Sequence, residues 1–219
     1  MSGKVIAPPW RLEGSGLILL LKPPQAELDP RWYAVSPSGE FARRGLGLMM
    51  FVDYWRSEAG PYRELLFIPG RFQMGAQRYW SITRILVSTP ASVTGGRANW
   101  GIPKEQAAFD LDGQPGQACR VRVSKGGQNL ADFSWEPRGP ALPVSTALLP
   151  TRLHTLVQNL NGCRFQLTPK ARGLISAARL SVMETNPEEF PAIGADRVLA
   201  AFAVAGFQME FPAARITSS

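Results

Sequence analysis

The apolar residues of this sequence occur in short runs, each soon closed by glycine or proline, and this punctuation restricts the possible folds more than any other feature. The 219 residues include 21 glycines and 19 prolines, which are spread along the chain. Short apolar runs between turn residues are typical of β-strands. Because 45% of the residues are hydrophobic, a sizeable core can be buried. We expect a mainly β (α+β) fold in which residues 1–219 form a single domain.

Four strands are predicted in the first half of the chain. The apolar runs are Leu17–Leu21, Gly47–Trp55 and Tyr62–Ile68, and the third is followed at once by Pro69-Gly70. Tyr79–Val87 is rich in β-branched and aromatic residues, which favour strands. This segment is predicted as one continuous strand.

A hairpin is the clearest local prediction in the second half. Arg120–Val123 alternates polar and apolar residues, Lys125–Gln128 contains two turn glycines, and Leu130–Trp135 returns. This order is that of two antiparallel strands joined by a tight turn. The proline-rich stretch Pro137–Pro150 is predicted to be irregular, whereas Leu174–Val182 alternates as a further strand.

The last long segment, Val198–Phe211, fits two structures. Its apolar residues change phase at Gly206, which is where a β-bulge would let one strand continue. An alanine-rich helix over Asp196–Ala205 is the competing interpretation. The residue pattern leaves both open.

The charge pattern restricts the partners of the protein. The formal net charge is +7, but the basic residues are dispersed, with no basic tail and no RNA-binding aromatic motif. We therefore expect no nucleic-acid partner and infer that the positive potential attracts anionic small molecules. No apolar stretch approaches the length of a membrane span, and Met1–Trp10 lacks the pattern of a signal peptide. A cytoplasmic protein without membrane contact is expected.

The cysteines and the single histidine do not form a recognisable site. Cys119, Cys163 and His154 are too few and too far apart in sequence for a common Cys/His zinc site. No metal and no cofactor are expected, and both cysteines are predicted to be buried free thiols. The sequence has no Gly-x-Ser-x-Gly elbow, the motif that presents the nucleophilic serine of a hydrolase triad. A structural role is therefore predicted for His154.

The segment Gly95–Glu105 carries the strongest chemical signal. Its glycines allow close approach of the backbone, Pro103 fixes the chain just before Lys104, and Trp100 and Ile102 supply an apolar setting. A lysine amine held among apolar groups becomes a nucleophile that condenses with ketones to a Schiff base. An ordinary surface lysine is the alternative that the residue types leave open.

The stretch Gly96–Ala107 resembles the Gly-Arg-Glu…Pro-Lys-Lys segment of the acetoacetate decarboxylase family. Gly60–Glu64 is similar to the Tyr-any-Glu segment of that family, and Pro9–Arg11 to its Pro-aromatic-basic opening. Val198–Ile216 resembles its C-terminal apolar strand and the turn after it. The similarity covers most of the chain in the same order, with the lysine segment as its most specific part.

This resemblance implies a double β-barrel or cone-like fold with a few helices. It also implies decarboxylation of a β-keto acid through a lysine Schiff base, of which acetoacetate decarboxylase is itself a known example. The resemblance gives Lys104 the Schiff-base role and Glu64 that of a catalytic carboxylate. Arg97 matches the motif arginine. The family's N-terminal arginine, which would hold a substrate carboxylate, falls near Ser15 or Gly16, with Arg11 close by but out of register. Together with the aromatic Trp100, Arg97 and Arg11 form the predicted substrate-binding set.

The sequence departs from the family at two motif positions. Glu105 replaces the second lysine of the pair and Ala98 replaces the glutamate. A neighbouring cation lowers the pKa of an amine whereas a carboxylate raises it, although adjacent side chains on a strand point to opposite sides. A second pocket carboxylate has no clear match near Leu48–Phe51, and Asp53 is the nearest acid.

Two functions are consistent with these residues. The first is a lyase in which a lysine forms a Schiff base with a keto acid or related carbonyl compound, as a decarboxylase, an aldolase or a dehydratase. The second is a non-catalytic barrel that binds a small molecule and has lost part of the family active site. In both cases the resemblance implies a homo-oligomer.

Overall fold

The computed structural model describes residues 5–22, 29–33, 40–41 and 45–218. Its strands are β1 (Trp10–Leu21), β2 (Glu40–Phe41), β3 (Gly47–Arg56), β4 (Tyr62–Ile68), β5 (Arg71–Met74), β6 (Gln77–Trp80), β7 (Arg84–Val87), β8 (Lys104–Gln106), β9 (Ala108–Gly113), β10 (Cys119–Lys125), β11 (Gln128–Ser145), β12 (Leu156–Leu160), β13 (Cys163–Leu167), β14 (Lys170–Thr185), β15 (Val198–Phe211) and β16 (Arg215–Ser218). Its α-helices are α1 (Pro30–Tyr33) and α2 (Pro90–Trp100), and 3-10 turns lie at Thr146–Leu148, Thr151–Leu153 and Ala195–Arg197. Within these residues no helix is long and apolar enough to cross a membrane.

The larger sheet curls into a nearly closed barrel. In the described residues its order is β8-β7-β4-β3-β1-β15-β14-β11-β10-β9, and its pairs are antiparallel except β7 with β8. The two edge strands, β8 and β9, are consecutive in the chain and are separated only by Ala107. This short connection brings the two edges of the sheet together.

A smaller sheet packs against one face of the barrel. Its order in the described part of the chain is β16-β13-β12-β6-β5-β2. Trp80 at the end of β6 pairs in parallel with Leu156 at the start of β12, which joins the two halves of this sheet. The chain passes from the small sheet to the barrel between β6 and β7.

Strands β1, β3 and β4 bury both of their faces, which explains their nearly continuous apolar sequences. Met49, Phe51, Leu65 and Phe67 point into the barrel core. The alternate residues of the same strands point outward into a second core between the barrel, α2 and the small sheet. This alternation is the period of two expected for strands, and the second core contains the cavity described below.

Helix α2 begins and ends with conventional capping groups. Thr89 accepts a hydrogen bond from the backbone N–H of Ser92, and Pro90 occupies the first turn, where its missing N–H needs no partner. Gly101 ends the helix in the left-handed conformation, with φ of 63°, and its N–H bonds to Arg97. This helix was not predicted from the sequence.

The structure corrects two predicted segments. Tyr79–Val87 is not one strand: β6 ends at Trp80 and β7 begins at Arg84, because the residues between them carry the chain from one sheet to the other. Pro137–Pro150 is not irregular: β11 continues to Ser145, paired with β14. Among the described residues nothing pairs with the other side of β11 beyond Trp135, and an edge of this kind tolerates prolines.

The last segment is a strand, and the helix considered for Asp196–Ala205 is wrong. The pairing of β15 with β1 and with β14 shifts register around Gly206, which has φ of 60°. This is the β-bulge that the change of phase predicted. Both cysteines are free thiols, as expected, but only Cys119 is buried, since Cys163 is partly exposed.

Candidate active site

Lys104 is held on the edge strand β8 by its backbone and by close packing with α2. Its N–H donates to the carbonyl of Ile102 at 2.8 Å, and its carbonyl accepts from Arg97 Nε at 2.9 Å. Gly96 lies against its side chain: a Cβ built on this glycine would be 2.5 Å from Lys104 Cδ. The absence of a side chain on Gly96 therefore makes room for the lysine.

The Lys104 amine is buried and has two polar neighbours. The residue is 4% exposed, and Nζ donates to Glu64 Oε2 at 2.7 Å and to Ser92 Oγ at 3.0 Å. Nζ also lies 5.0 Å from the centre of the Tyr62 ring, within the range of a cation–π contact. A buried charge is tolerated when it is paired and hydrogen-bonded in this way.

Glu64 is the buried carboxylate of the site and is 5% exposed. Its second oxygen accepts a long hydrogen bond of 3.4 Å from the Tyr54 hydroxyl. Burial, followed by the charge of Glu64, raises the pKa of Tyr54 and Tyr62 well above the ordinary value of 10.0, although a hydrogen bond with Ser92 opposes the shift at Tyr62. Both phenols are therefore protonated at neutral pH.

These groups face a mostly apolar cavity of about 230 Å³. Alternate residues of two neighbouring strands form one wall: from β3 Leu48, Met50, Val52 and Tyr54, and from β4 Tyr62, Glu64, Leu66 and Ile68. The side chains of Trp80 and Leu156 close the cavity from the small sheet, and Ile82 does so from the segment between β6 and β7. The volume suits a small ligand, because it is below the range of cavities that hold drug-sized molecules.

Trp100 lines the cavity at the C-terminal end of α2. Its ring meets that of Trp10 edge to face at a centroid distance of 5.0 Å and that of Phe211 at 5.3 Å. Its Nε1 donates to the carbonyl of Pro212 at 2.7 Å, so the buried indole leaves no polar atom unpaired. The rigid ring forms part of the apolar surface that a bound ligand would touch.

Glu105 lies on the other side of β8 from the cavity. Its carboxylate accepts from Arg84 Nη1 at 2.6 Å and from Lys125 Nζ at 2.9 Å. Burial acts to raise the pKa of this carboxyl, but the hydrogen bonds and charges of Lys125 and Arg84 outweigh it and lower the pKa. The Glu105 carboxylate is thus engaged by these two cations, whereas the Lys104 amine bonds to Glu64 and Ser92.

The described part of the chain contains no group of three His, Cys, Asp or Glu side chains arranged to hold a metal ion. The reactive groups of the cavity wall are the Lys104 amine, the Glu64 carboxylate, the phenols of Tyr54 and Tyr62, and the His154 imidazole. Among these, an amine is the nucleophile that condenses with a carbonyl carbon.

The sequence model of the family described as acetoacetate decarboxylase (ADC) matches residues 36–185, which is more than half of the chain. The protein belongs to the acetoacetate decarboxylase family. None of the curated proteins matches the chain. Family membership agrees with the resemblance carried by the lysine segment.

Solved structures of low sequence identity share the fold. The enduracididine biosynthesis enzyme MppR complexed with pyruvate is 15% identical, with a TM-score of 0.66 over 98% of this chain and 92% of that one. Acetoacetate decarboxylase from Legionella pneumophila is 14% identical, with a TM-score of 0.61 over 97% and 88%. An acetoacetate decarboxylase-like enzyme from Sphingomonas wittichii RW1 is 16% identical, with a TM-score of 0.63 over 98% and 95%. The predicted fold class, a mainly β acetoacetate decarboxylase-like fold with few helices, is confirmed.

The two arginines predicted to bind substrate lie outside the cavity wall. Arg97 is exposed, and its guanidinium bonds to the backbone of Lys104. Arg11 has a side chain that is 77% exposed, lies 3.8 Å from Glu210 and borders a separate polar groove. No arginine lines the cavity among the described residues. Asp53, the acid nearest to the unmatched second pocket carboxylate, also lies outside the cavity wall, where it pairs with Arg63.

Three side chains beside Lys104 and Glu64 were not predicted from the sequence. Tyr62 stands two positions before Glu64 on one strand, so the period of two would have placed both on one face. Tyr54 lies directly opposite Tyr62 in the pairing of β3 with β4. Ser92 had a weaker signal, because its approach to Lys104 depends on how α2 packs against β8.

Proposed function

We propose that the protein is a lyase whose Lys104 forms a Schiff base with a small keto acid or related carbonyl compound. The observation that carries this proposal is the buried amine, 2.7 Å from the Glu64 carboxylate, in the wall of an apolar cavity. A buried lysine beside a titratable partner in a cleft is the arrangement in which an amine serves as a nucleophile.

Glu64 is suited to manage the protons of Schiff-base formation. In the first step the ammonium of Lys104 transfers a proton to the Glu64 carboxylate, and the free amine attacks the carbonyl carbon. A proton moves from nitrogen to oxygen to give a carbinolamine, and the Glu64 acid then returns its proton as the hydroxyl leaves as water. The product is a protonated iminium. Each of these transfers requires an acceptor within hydrogen-bond reach of the amine, and Glu64 Oε2 is at that distance.

The iminium supplies the electron sink for the following step. When a carboxylate lies β to the original carbonyl, the electron pair of the breaking C–C bond moves into the iminium, and carbon dioxide and an enamine result. Protonation of the enamine at carbon and hydrolysis release the ketone and the Lys104 amine. The apolar walls keep water away from these intermediates. The same iminium would serve an aldolase or a dehydratase.

The comparisons support this class of chemistry without choosing among the reactions. The family includes acetoacetate decarboxylases, and MppR has been solved with pyruvate and with the condensation product of pyruvate and imidazole 4-carboxaldehyde. These ligands are carbonyl compounds or are formed from them. They make a small keto acid the first ligand class to test on this chain.

Borohydride trapping tests the proposal directly. The protein would be incubated with acetoacetate and a panel of α- and β-keto acids, reduced, and analysed by intact mass and peptide mapping. We expect a single adduct on Lys104, absent in Lys104→Ala and retained in Lys125→Ala, which removes an exposed lysine. Carbon dioxide release from the β-keto acids would then be measured. A folded protein that gives no adduct across the panel would rule out the Schiff-base role.

A non-catalytic binding barrel is the second candidate, and one observation favours it. Among the described residues no arginine lines the cavity, so the group expected to hold a substrate carboxylate is absent from its wall. On this alternative, keto acids or apolar ligands would bind, as measured by calorimetry, without a borohydride adduct and without turnover. The adduct on Lys104 thus separates the two functions.

We also propose that residues 1–219 form one domain that self-associates. Apolar side chains are exposed where β11 pairs with β14 and in the following 3-10 turn: Leu142 is 61% exposed, Leu174 44% and Leu148 84%. Adjacent exposed apolar residues are typical of protein interfaces. Light scattering should give a mass above that of one chain, and Leu148→Lys combined with Leu142→Lys should reduce it. A monomer at all concentrations would contradict the assembly.

A further inference from the structure

A polar groove adjoins the apolar cavity. The two spaces share Leu12, His154 and Met209 in their walls, whereas Lys104 and Glu64 line the cavity alone. The groove lies along β1, β14 and β15 and is also bordered by the 3-10 turns at Thr146–Leu148 and Thr151–Leu153. The two spaces therefore meet beside these three residues, of which His154 is the polar one.

The groove holds two cations that no carboxylate neutralises. Arg172 donates to Gln208 Oε1 through Nε at 3.0 Å and through Nη2 at 2.7 Å. The charged guanidinium thus has a neutral amide oxygen as its acceptor. Lys170 lies opposite Glu210 in the pairing of β14 with β15, but the two form no ion pair. In the described part of the chain neither cation has an ion pair with an acidic side chain.

Both carboxylates of the groove, in contrast, are already bound to arginines. Glu13 accepts from Arg56 at 3.3 Å, and Glu210 lies 3.8 Å from Arg11. The charges left over in the groove are thus positive. Such a surface favours an anionic group, because a guanidinium and an ammonium both form charge-assisted hydrogen bonds with carboxylates.

His154 stands where the apolar cavity meets the polar groove. It follows the 3-10 turn Thr151–Leu153 as its capping residue. Its Nδ1 is buried and has no hydrogen-bond partner among the described residues, while the residue as a whole is only partly buried. Nε2 is not among the buried unpaired atoms of the described residues, and a ring nitrogen at this junction can meet a ligand as a hydrogen-bond donor or acceptor.

We infer that the groove is a subsite for the anionic end of the substrate, with His154 Nε2 as a specificity-determining contact. This inference rests on the proposed Schiff-base function and names its substrate class. The carbonyl lies at Lys104, an apolar chain fills the cavity, and a carboxylate or similar anion reaches Arg172 and Lys170. The substrate is then a carbonyl compound whose anionic end is separated from the carbonyl by several methylenes. Decarboxylation would remove only a carboxylate β to the carbonyl. An anion held in the groove is farther from the carbonyl and would stay on the product.

The test is a series of straight-chain methyl-ketone acids, from acetoacetate and levulinate to longer members, each beside its methyl ester. The measured quantity is the concentration that gives half-maximal borohydride trapping on Lys104. We expect this concentration to fall by at least about tenfold from acetoacetate to the best longer acid, on the scale of one charge-assisted hydrogen bond. Along the series of methyl esters, the half-maximal concentration should fall by a smaller factor. Acetoacetate as the best ligand of the series would overturn the inference.

Two substitutions on one strand test the charge of the groove. Arg172→Gln should raise the half-maximal concentration of the best longer acid by about tenfold, with a smaller change for its ester. Arg179→Gln removes an exposed arginine of β14 that does not border the groove, and should leave both values unchanged. Equal effects of Arg172→Gln on acid and ester would overturn the subsite.

Two isosteric substitutions test the role of His154. In His154→Gln the side-chain amide reaches the position of Nε2, and in His154→Asn it reaches only that of Nδ1. The first should keep the preference for the acid over the ester, and the second should lose it, with thermal unfolding checked for both. The reverse order would contradict the assignment of Nε2. An absence of adducts with every ketone, ester and acid would instead refute the Schiff-base function itself, and this inference with it.

Discussion

The side chains of Lys104 and Glu105 leave β8 in opposite directions. The Lys104 amine bonds to Glu64 in the cavity wall, whereas the Glu105 carboxylate bonds to Arg84 and Lys125 on the other side of the strand. Two adjacent residues thus belong to two separate networks, one polar cluster in the cavity and one ion-pair cluster outside it. Glu105 therefore takes part in the second network and has no contact with the amine.

Glu105→Gln should therefore affect stability more than amine reactivity. Arg84, whose side chain is 7% exposed, would lose its shortest ion pair and keep the longer one with the Glu189 carboxylate, besides its hydrogen bond to the Glu189 backbone carbonyl. Because the Glu105 side chain is 36% exposed, we expect a loss of about 1–2 kcal/mol in the free energy of unfolding, less than for a fully buried pair. Urea denaturation measures this loss. The rate of borohydride trapping on Lys104 should stay within about twofold of the parent rate, because the two residues share no partner. A larger change at unaltered stability would link Glu105 to the amine.

Gly96→Ala should displace the Lys104 side chain. The added Cβ would lie 2.5 Å from Cδ and 2.8 Å from Cε of the lysine, so the amine must leave its position beside Glu64. We expect trapping to slow by about tenfold or more, since a displacement near 1 Å is enough for such losses. The control is Ala98→Gly at an exposed position of the same helix, which should cost about 1 kcal/mol of stability and leave trapping intact. Normal trapping in Gly96→Ala would show that the lysine relaxes without loss.

The sequence was sufficient to predict the elements whose pattern is local. Tyr62–Ile68 is a strand with the predicted bounds, and the change of phase in Val198–Phe211 located the bulge at Gly206. Periodicity and turn residues report such features because each depends on neighbouring residues alone. The family motif likewise indicated Lys104 and Glu64, which the structure brings within 2.7 Å of each other.

Features that depend on packing between distant segments were not predictable in this way. The break between β6 and β7 follows from the passage of the chain between two sheets. Among the described residues β11 has no second neighbour along Pro137–Ser145, so the prolines lie at an edge that tolerates them. The contact of Ser92 with Lys104 joins α2 to β8. His154 gave no sequence signal, because its position between cavity and groove results from the arrangement of whole strands.

The Lys104–Glu64 pair should show strong thermodynamic coupling. Both side chains are at most 6% exposed, and removing one partner leaves the other charge buried, which typically costs about 3–5 kcal/mol. We therefore expect Glu64→Gln to destabilise the protein by about 3 kcal/mol. The double variant Glu64→Gln with Lys104→Met should recover most of that loss, because no unpaired charge remains. The cycle would be measured by chemical denaturation, with Glu136→Gln in an exposed pair as a control that costs below about 1 kcal/mol. Additive effects of the two substitutions would contradict the coupling.

The buried tyrosines predict a loss of stability at alkaline pH. The folded state raises the pKa of Tyr54 and Tyr62 above the ordinary value of 10.0, chiefly through burial. The unfolded chain therefore releases these protons first as the pH rises. The stabilisation from the two neutral phenols is complete below about pH 10 and declines above it, by up to about 1.4 kcal/mol per pH unit for each tyrosine.

Tyr54→Phe should reduce this slope, because one of the two buried phenols is removed. The free energy of unfolding would be measured in urea from about pH 9 to 11 for the parent protein, for Tyr54→Phe and for the control Tyr79→Phe on β6. Groups shared by the three proteins contribute equally to each pH profile and cancel when the profiles are compared. Tyr54→Phe should therefore lose less stability between about pH 9 and 11 than the parent protein or Tyr79→Phe. Parallel profiles for all three would show that Tyr54 ionises in the folded protein as readily as in the unfolded chain, which its burial beside the Glu64 carboxylate argues against.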